Sequence, residues 1–277
     1  MSEEIRIRPA GSRADYDACV ELQRAVWGLQ DLEITSAIQL IATVHAGGIV
    51  HLAEGADGRA VGFCYAFPAI KGGVPHVHSD MLAVLPSRQA QGIGPRLKWA
   101  QRDEALARGL AFVTWTFDPL QARNANLNLR RLGAVAPEFV PDMYGITTSS
   151  LHHGLPTDRL VVRWELDSAR VRERAAATDL PRSVATPDGE PVNEVVWKAG
   201  WPVSSEPNTG LDAESLLLEI PPDWDVLSSA APRVAADWQR KVRVALSAYL
   251  GRGYVAADFA PTEASGRRRP FYVLRRR

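Results

Sequence analysis

The stretch MLAVLPSRQAQGIGPRLKWAQRDEALARG, residues 81–109, decides the fold. An apolar run from Met81 to Leu85 enters a turn holding Gly92 and Gly94, and a helical pattern then closes near Gly109. A helix N-terminus exposes amides without intrahelical partners and carries a partial positive charge, so a glycine turn feeding one can hold a diphosphate through its backbone. Glycine matters there because a Cβ would obstruct close approach of the anion. Glycine turns between strands and helices are common, so the pattern needs support from its surroundings. No Gly-Lys-Ser/Thr closes it as in a Walker loop, and the third glycine of the dinucleotide fingerprint is missing.

Upstream, IRIRP at 5–9 alternates as a half-buried strand does, and Ser12 with Asp15 forms a capping box before a helix. That helix turns Ala18, Leu22, Ala25 and Val26 inward and ends at Gly28. Ile34, Ile38, Ile41 and His45 mark a second helix, stopped by Gly47 and Gly48. IVHLAEG, RAVGFCYAFPAI and, after the break KGGVP, HVHSDMLAVL predict an antiparallel meander. Downstream, the helix after the glycine turn buries Ile93, Leu97, Ala100 and Ala107; a strand AFVTWTF, a helix over 120–132 closed by Gly133, and a strand DRLVVRWEL follow. From residue 168 the chain becomes charged and then rich in Pro and Gly, which places a boundary between residues 1–167 and a smaller α/β module over 168–277. In that module SLLLEIPPDW, a helix over 232–249 with Val234, Trp238, Val242, Ala245 and Tyr249 on one face, YVAADFA and FYVLRR are the elements.

With 277 residues, 46% of them hydrophobic, the chain has enough apolar surface for one large core or two modest ones. Lys plus Arg and Asp plus Glu number 32 each, so the molecule has no long-range field to draw in nucleic acid or an anionic membrane. Cys19 and Cys64 sit in apolar segments and read as buried thiols. The segment MSEEIRIRPAG has no signal-peptide pattern and no apolar run reaches membrane-spanning length, which predicts a cytoplasmic protein without a membrane partner.

Gln89, Gly92 and Gly94 fit the pattern Gln/Arg-x-x-Gly-x-Gly/Ala. This resembles motif A of the GCN5-related N-acetyltransferase (GNAT) superfamily, which holds the pyrophosphate of coenzyme A. The order of elements over residues 5–166 is similar too, and HSDMLAVLPSRQAQGIGPRLKWAQR, TWTFDPLQARNANLNLRRLGA, MYG and DRLVVRWEL resemble a subfamily of predicted acyltransferases with a C-terminal extension. The resemblance implies an α+β fold, the GNAT acyl-CoA N-acyltransferase fold, with a mixed, splayed central sheet flanked by helices. The strand holding Met81–Val84 would bulge and part from the strand holding Val113–Phe117. Backbone groups of Leu82, Ala83 and Val84 would then bond pantetheine as another strand does, and amides of Gln89, Ala90, Gln91, Gly92, Ile93 and Gly94 would hold the pyrophosphate. Pro95 has no amide hydrogen to add, but suits a first helical turn.

Acyl transfer to an amine needs a neutral nucleophile, a polarised thioester and a proton for the thiolate. The superfamily's usual tyrosine maps onto Leu129, so Tyr144 is the substitute acid; its other reading is a tyrosine at a sheet edge. Asn124 and Asn128, one helical turn apart, bond pantetheine or acceptor, or else lie on the helix surface. His78 and Asp80 share one face of their strand, where either takes a proton from the ammonium and a near-neutral histidine suits that best; a polar stripe gives the same spacing. Asp118 binds acceptor or caps the helix beginning at Pro119. Arg123 or Arg130 would meet the carboxylate of a succinyl donor. The pairs HVH and His152–His153 have neither HExxH nor a cysteine partner, so no metal is expected. The tail GRRRPFYVLRRR suggests solvated flanks of a last strand more than nucleic-acid contacts. The expected activity is transfer of acetyl from acetyl-CoA to a primary amine of a small molecule. The alternatives are an amino-acid N-succinyltransferase using succinyl-CoA, or a CoA-binding regulatory module without chemistry. The C-terminal module covers the acceptor site or forms a homodimer contact.

Overall fold

A computed structural model of the chain describes residues 4–145, 155–177 and 180–276. The described residues fall into two compact units. One takes the chain up to Trp115 together with Glu165–Ser168; the other takes 116–145, 155–164 and the chain from Ala169 onward.

The first unit begins with β1 (Arg6–Pro9), α1 (Arg13–Trp27) and α2 (Ala37–His45). Strands β2 (Ile49–Glu54), β3 (Ala60–Lys71) and β4 (Val74–Val84) follow, then α3 (Ile93–Ala107) and the start of β5 (Phe112–Phe117). Ser12 caps α1 and completes the expected box: its side chain accepts the Asp15 amide while the Asp15 carboxylate accepts the Ser12 amide. Gly28 ends the helix in the left-handed region, at φ 62°. The sheet runs in the order β1-β2-β3-β4-β5, antiparallel as far as β4 and parallel between β4 and β5. Gly72 and Gly73, both at positive φ, close β3 onto β4 as a two-residue hairpin, so the strands reach further than the KGGVP break predicts.

Both faces of this sheet are covered. Tyr16, Leu22 and Leu40 from α1 and α2 meet Leu52, Phe63 and Tyr65 on one face; Ile93 and Leu97 from α3 meet Ala53, Val61 and Cys64 on the other. Four expected core positions are corrected. Ala25, Ile38 and His45 are exposed, because the phase of α1 and α2 is set by Tyr16-Cys19-Leu22 and by Ala37-Leu40-Thr43. On α3, Ala107 is exposed, and the buried stripe continues instead through Lys98, Gln101 and Ala105.

The second unit holds the end of β5, a single α-turn α4 (Ala122–Ala125), a π-helical segment Asn126–Arg131, β6 (Val135–Val140), β7 (Arg159–Glu165) and α5 (Ala169–Ala176). Then come β8 (Glu190–Pro191), β9 (Val195–Lys198), β10 (Trp201–Ser204), β11 (Ser215–Glu219), α6 (Trp224–Ala230), α7 (Pro232–Gly251), β12 (Tyr254–Ala264) and β13 (Arg267–Arg276). Its sheet has the order β7-β6-β12-β13-β11-β8, and β9 with β10 forms a separate hairpin. The core gathers Trp238 and Tyr249 of α7 with Tyr254, Phe259 and Tyr272, all buried, and the Trp238 indole donates to the Pro202 carbonyl at 2.8 Å. The single helix expected over 120–132 is corrected: the Leu132 amide reaches back five residues to the Leu127 carbonyl, the widened register of a π turn. The arginines of the basic tail form the ends of β13 itself, where Arg269 donates to the buried Glu219 at 2.9 Å and Arg267 lies over the Trp197 ring at 4.3 Å.

Candidate active site

The site begins in the register of β4. Tyr65 of β3 faces Met81 and Ala66 faces Ser79, so Asp80 is an extra residue, a β-bulge. On its other edge β4 pairs with β5 only at Val77↔Val113 and His78↔Thr114. The ladder therefore ends where the bulge begins, and β4 leaves β5 from Ser79 on. This is the parting that the resemblance implies, produced by one inserted residue.

Past the bulge the strand delivers the glycine turn. Pro86–Arg88 form a short 3-10 turn. Gln89 closes it, donating its amide to the Pro86 carbonyl at 3.3 Å and its side-chain amide to the Val84 carbonyl at 3.2 Å. The donors that face outward thus belong to the residues after Gln89. Ala90 and Gly92 both take positive φ, 63° and 75°, which bends the chain twice within three residues. Such alternation turns successive N–H groups to one side. For Ala90 the conformation is strained, as backbones at functional turns often are. Gly92 caps α3, whose Ile93 and Gly94 amides belong to the first turn and lack intrahelical partners. A Cβ at Gly92 would meet nothing within 4 Å, and one at Gly94 only Leu82 Cδ2 at 3.8 Å. The turn presents an open, amide-lined face beside an unladdered strand edge, which fits a diphosphate and an amide-bearing arm.

His78 lies on the face covered by α1 and α2, beside Phe67. The His78 ring is 5.2 Å from Phe67, and its Nδ1 pairs with Thr114 Oγ1 at 2.9 Å. Desolvation, helped by His76, Lys98 and Lys71, pushes the imidazole down to about 4, so His78 is neutral at physiological pH. The near-neutral basicity expected of it is corrected by that burial. Asp80 is open to solvent, yet the protein packed around it raises its carboxyl by desolvation. Sequence reading missed Thr114, the strain at Ala90 and the buried Lys98. The signal for Lys98 was available: a lysine three residues before Gln101 on an otherwise apolar stripe.

The remaining sequence candidates belong to the second unit. Tyr144 is 49% exposed; its hydroxyl meets Thr116 Oγ1 at 3.0 Å and Arg159 lies over its ring at 5.3 Å. Asp118 accepts the Leu120 amide at 2.8 Å within the turn before α4, whose N-cap is Gln121 and not Asp118, and burial pushes its carboxyl up to about 6. Arg123 and Asn124 are exposed, Asn128 is buried in the π segment, and Leu129 is fully buried. Among the described residues no three His, Cys, Asp or Glu side chains converge as a metal site; His152 and His153 lie outside them. No helix among the described residues is long and apolar enough to cross a membrane.

No curated protein matches the sequence. Solved structures do resemble the chain. A ribosomal-protein-S18-alanine N-acetyltransferase from Escherichia coli is 16% identical, with 60% of this chain and 96% of that one covered and a TM-score of 0.47. A protein from Salmonella typhimurium solved with its cofactor acetyl-CoA is 22% identical over 64% and 98%, with a TM-score of 0.48. An aminoglycoside acetyltransferase from an uncultured soil metagenomic sample is 19% identical over 44% and 84%, with a TM-score of 0.40. The family model described as Acetyltransferase (GNAT) family matches residues 17–134, a span that contains the bulge, the glycine turn and β5. Residues 17–134 thus carry a GNAT acetyltransferase domain, which supports an acyl-CoA-dependent acetyltransferase.

Proposed function

We propose that the protein transfers an acyl group, acetyl by default, from acyl-CoA to a primary amine of a small molecule by direct attack. The observation that carries this reading is the coincidence of the Asp80 bulge, the end of the β4–β5 ladder and the open amide face at Gly92–Gly94. In this reading amides from Ala90 to Gly94 hold the diphosphate, and backbone of Leu82, Ala83 and Val84 holds the pantetheine amides. The acyl-CoA thioester supplies the electrophilic carbonyl. The amine lone pair attacks that carbon, the C–S bond breaks, and the proton lost from nitrogen goes to Asp80, directly or by way of His78. Asp80 gains in that role because desolvation raises its basicity. Tyr144 is proposed to return a proton to the thiolate, in place of the tyrosine that Leu129 replaces. Asp118, Arg123, Asn124 and Asn128 are proposed to bind acceptor or pantetheine. We assign the chemistry to residues 1–167 and a supporting role to 168–277, in a cytoplasmic protein.

The test is release of free thiol from acetyl-CoA in the presence of a panel of amines. Small-molecule amines should support turnover that Asp80→Asn lowers at least 10-fold and Tyr144→Phe lowers in kcat with little change in KM. Stabilisation by acetyl-CoA without thiol release from any amine would instead mark a CoA-binding module. Turnover with peptide N-termini alone would contradict the small-molecule acceptor.

A further inference from the structure

We propose that Lys98 is a positioning residue that plugs the seam where β4 and β5 part, fixing where the acyl-CoA arm enters the sheet. The inference rests on the acyl-CoA reading of this site and adds a residue to it. Lys98 is on α3 and only 2% exposed. Its Nζ donates to Ser79 Oγ and to Gln101 Oε1, both at 2.8 Å, and stands 3.9 Å from the centre of the Trp115 ring.

The placement of those partners is what matters. The last rung of the β4–β5 ladder is His78↔Thr114. The next residues along the two strands are Ser79 and Trp115, the first pair without a rung. Lys98 bridges that pair from the α3 face by a hydrogen bond to one strand and a cation–π contact to the other. From the opposite face, the His78–Thr114 hydrogen bond bridges the last rung itself. The apex of the opening is thereby braced on both sides of the sheet, one residue before the bulge at Asp80. Without a brace, either the ladder could zip further and close the entry, or the seam could fray and enlarge it.

Burying an ammonium is costly, and an apolar side chain of similar length would pack this core without that penalty. Desolvation accordingly pushes Lys98 down to about 7. The amine and ammonium forms can both donate to Ser79 and Gln101, so the hydrogen-bonded part of the brace persists across neutral pH. A purely structural account leaves this lysine as a liability. The seam account gives it a purpose that methionine could not serve.

The test compares wild type with Lys98→Met, Ser79→Ala and the double variant. The readouts are acetyl-CoA affinity by calorimetry, the thermal midpoint, amide hydrogen exchange at residues 77–79 and 113–115, and Trp115 emission taken as the difference from Trp115→Phe. We expect each single variant to bind acetyl-CoA about 5- to 10-fold more weakly; Lys98→Met removes the buried charge and should move the thermal midpoint little, whereas Ser79→Ala leaves the ammonium one hydrogen bond short and should lower it. The double variant should bind no more weakly than Lys98→Met alone. Exchange should quicken at the seam and not in β2 or β3. Acetyl-CoA should alter Trp115 emission in wild type and not in Lys98→Met. Should Lys98→Met fail to fold, the affinity, exchange and emission of Ser79→Ala decide. Wild-type affinity in the variants with unchanged exchange at the seam overturns the inference alone. Failure of wild type to bind acetyl-CoA overturns the reading of the site beneath it.

Discussion

His78 shows how far a side chain's surroundings can change what its type suggests. The residue sits in a strand, partly buried, with its Nδ1 on Thr114 and positive groups at Lys71, His76 and Lys98 nearby. Burial is the largest cause of its depressed pKa, and the like charges add to it. If proton acceptance runs through His78, the acid limb of kcat/KM should fall near pH 4, well below the 6.5 of an ordinary histidine. A limb at 6.5, read from a pH–rate profile, would remove His78 from the chemistry. The same depression has a sign for stability: the unfolded imidazole binds its proton at higher pH, so acidification from 6.5 toward 4 should destabilise the fold at this residue. Gly92 offers a second test at this scale, with an internal control. Gly92 and Gly109 share a φ of +75°, and a Cβ at either would meet nothing within 4 Å. Valine at each should cost ~1–2 kcal/mol in chemical denaturation through backbone strain alone. Only Gly92→Val should also weaken acetyl-CoA, by at least 10-fold in calorimetry; equal affinities in the two variants would separate the glycine turn from the cofactor.

Among elements, α1 was readable because its stop and start are local chemistry. Ser12, Asp15 and Gly28 specify a box and a left-handed cap within a single segment, and the structure carries both. Ser12→Ala should accordingly cost ~1 kcal/mol by denaturant titration, with acetyl-CoA affinity unchanged. The meander and glycine turn were legible for the same reason: alternation, hairpin glycines and an N-terminal cap are encoded by near neighbours. What sequence could not supply was set by long-range packing. The inward face of α2 was misjudged because Ile38 is apolar yet exposed, while Thr43 is polar yet buried against Tyr65. The break of the 120–132 segment into an α-turn and a π segment depends on the Leu127–Leu132 register, which no periodicity announces. A bulge followed only from the family resemblance, which put it in Met81–Val84, whereas the extra residue is Asp80. The residue itself carries no glycine or proline to mark it.

Across the whole molecule, equal numbers of acidic and basic residues leave binding to local geometry, since no net field recruits a polyanion. The cofactor must therefore be captured by backbone donors at one turn and by a strand edge. Saturation at 100 times the dissociation constant should add ~2.7 kcal/mol to the stability of the folded chain. The most direct measurement is titration of acetyl-CoA into the amide-labelled full chain, followed residue by residue by NMR. The account predicts that the largest shifts fall on the amides of Gln91, Gly92, Ile93 and Gly94, accompanied by Leu82 to Val84. Saturable binding that leaves those amides unmoved, or no binding at all, would contradict it.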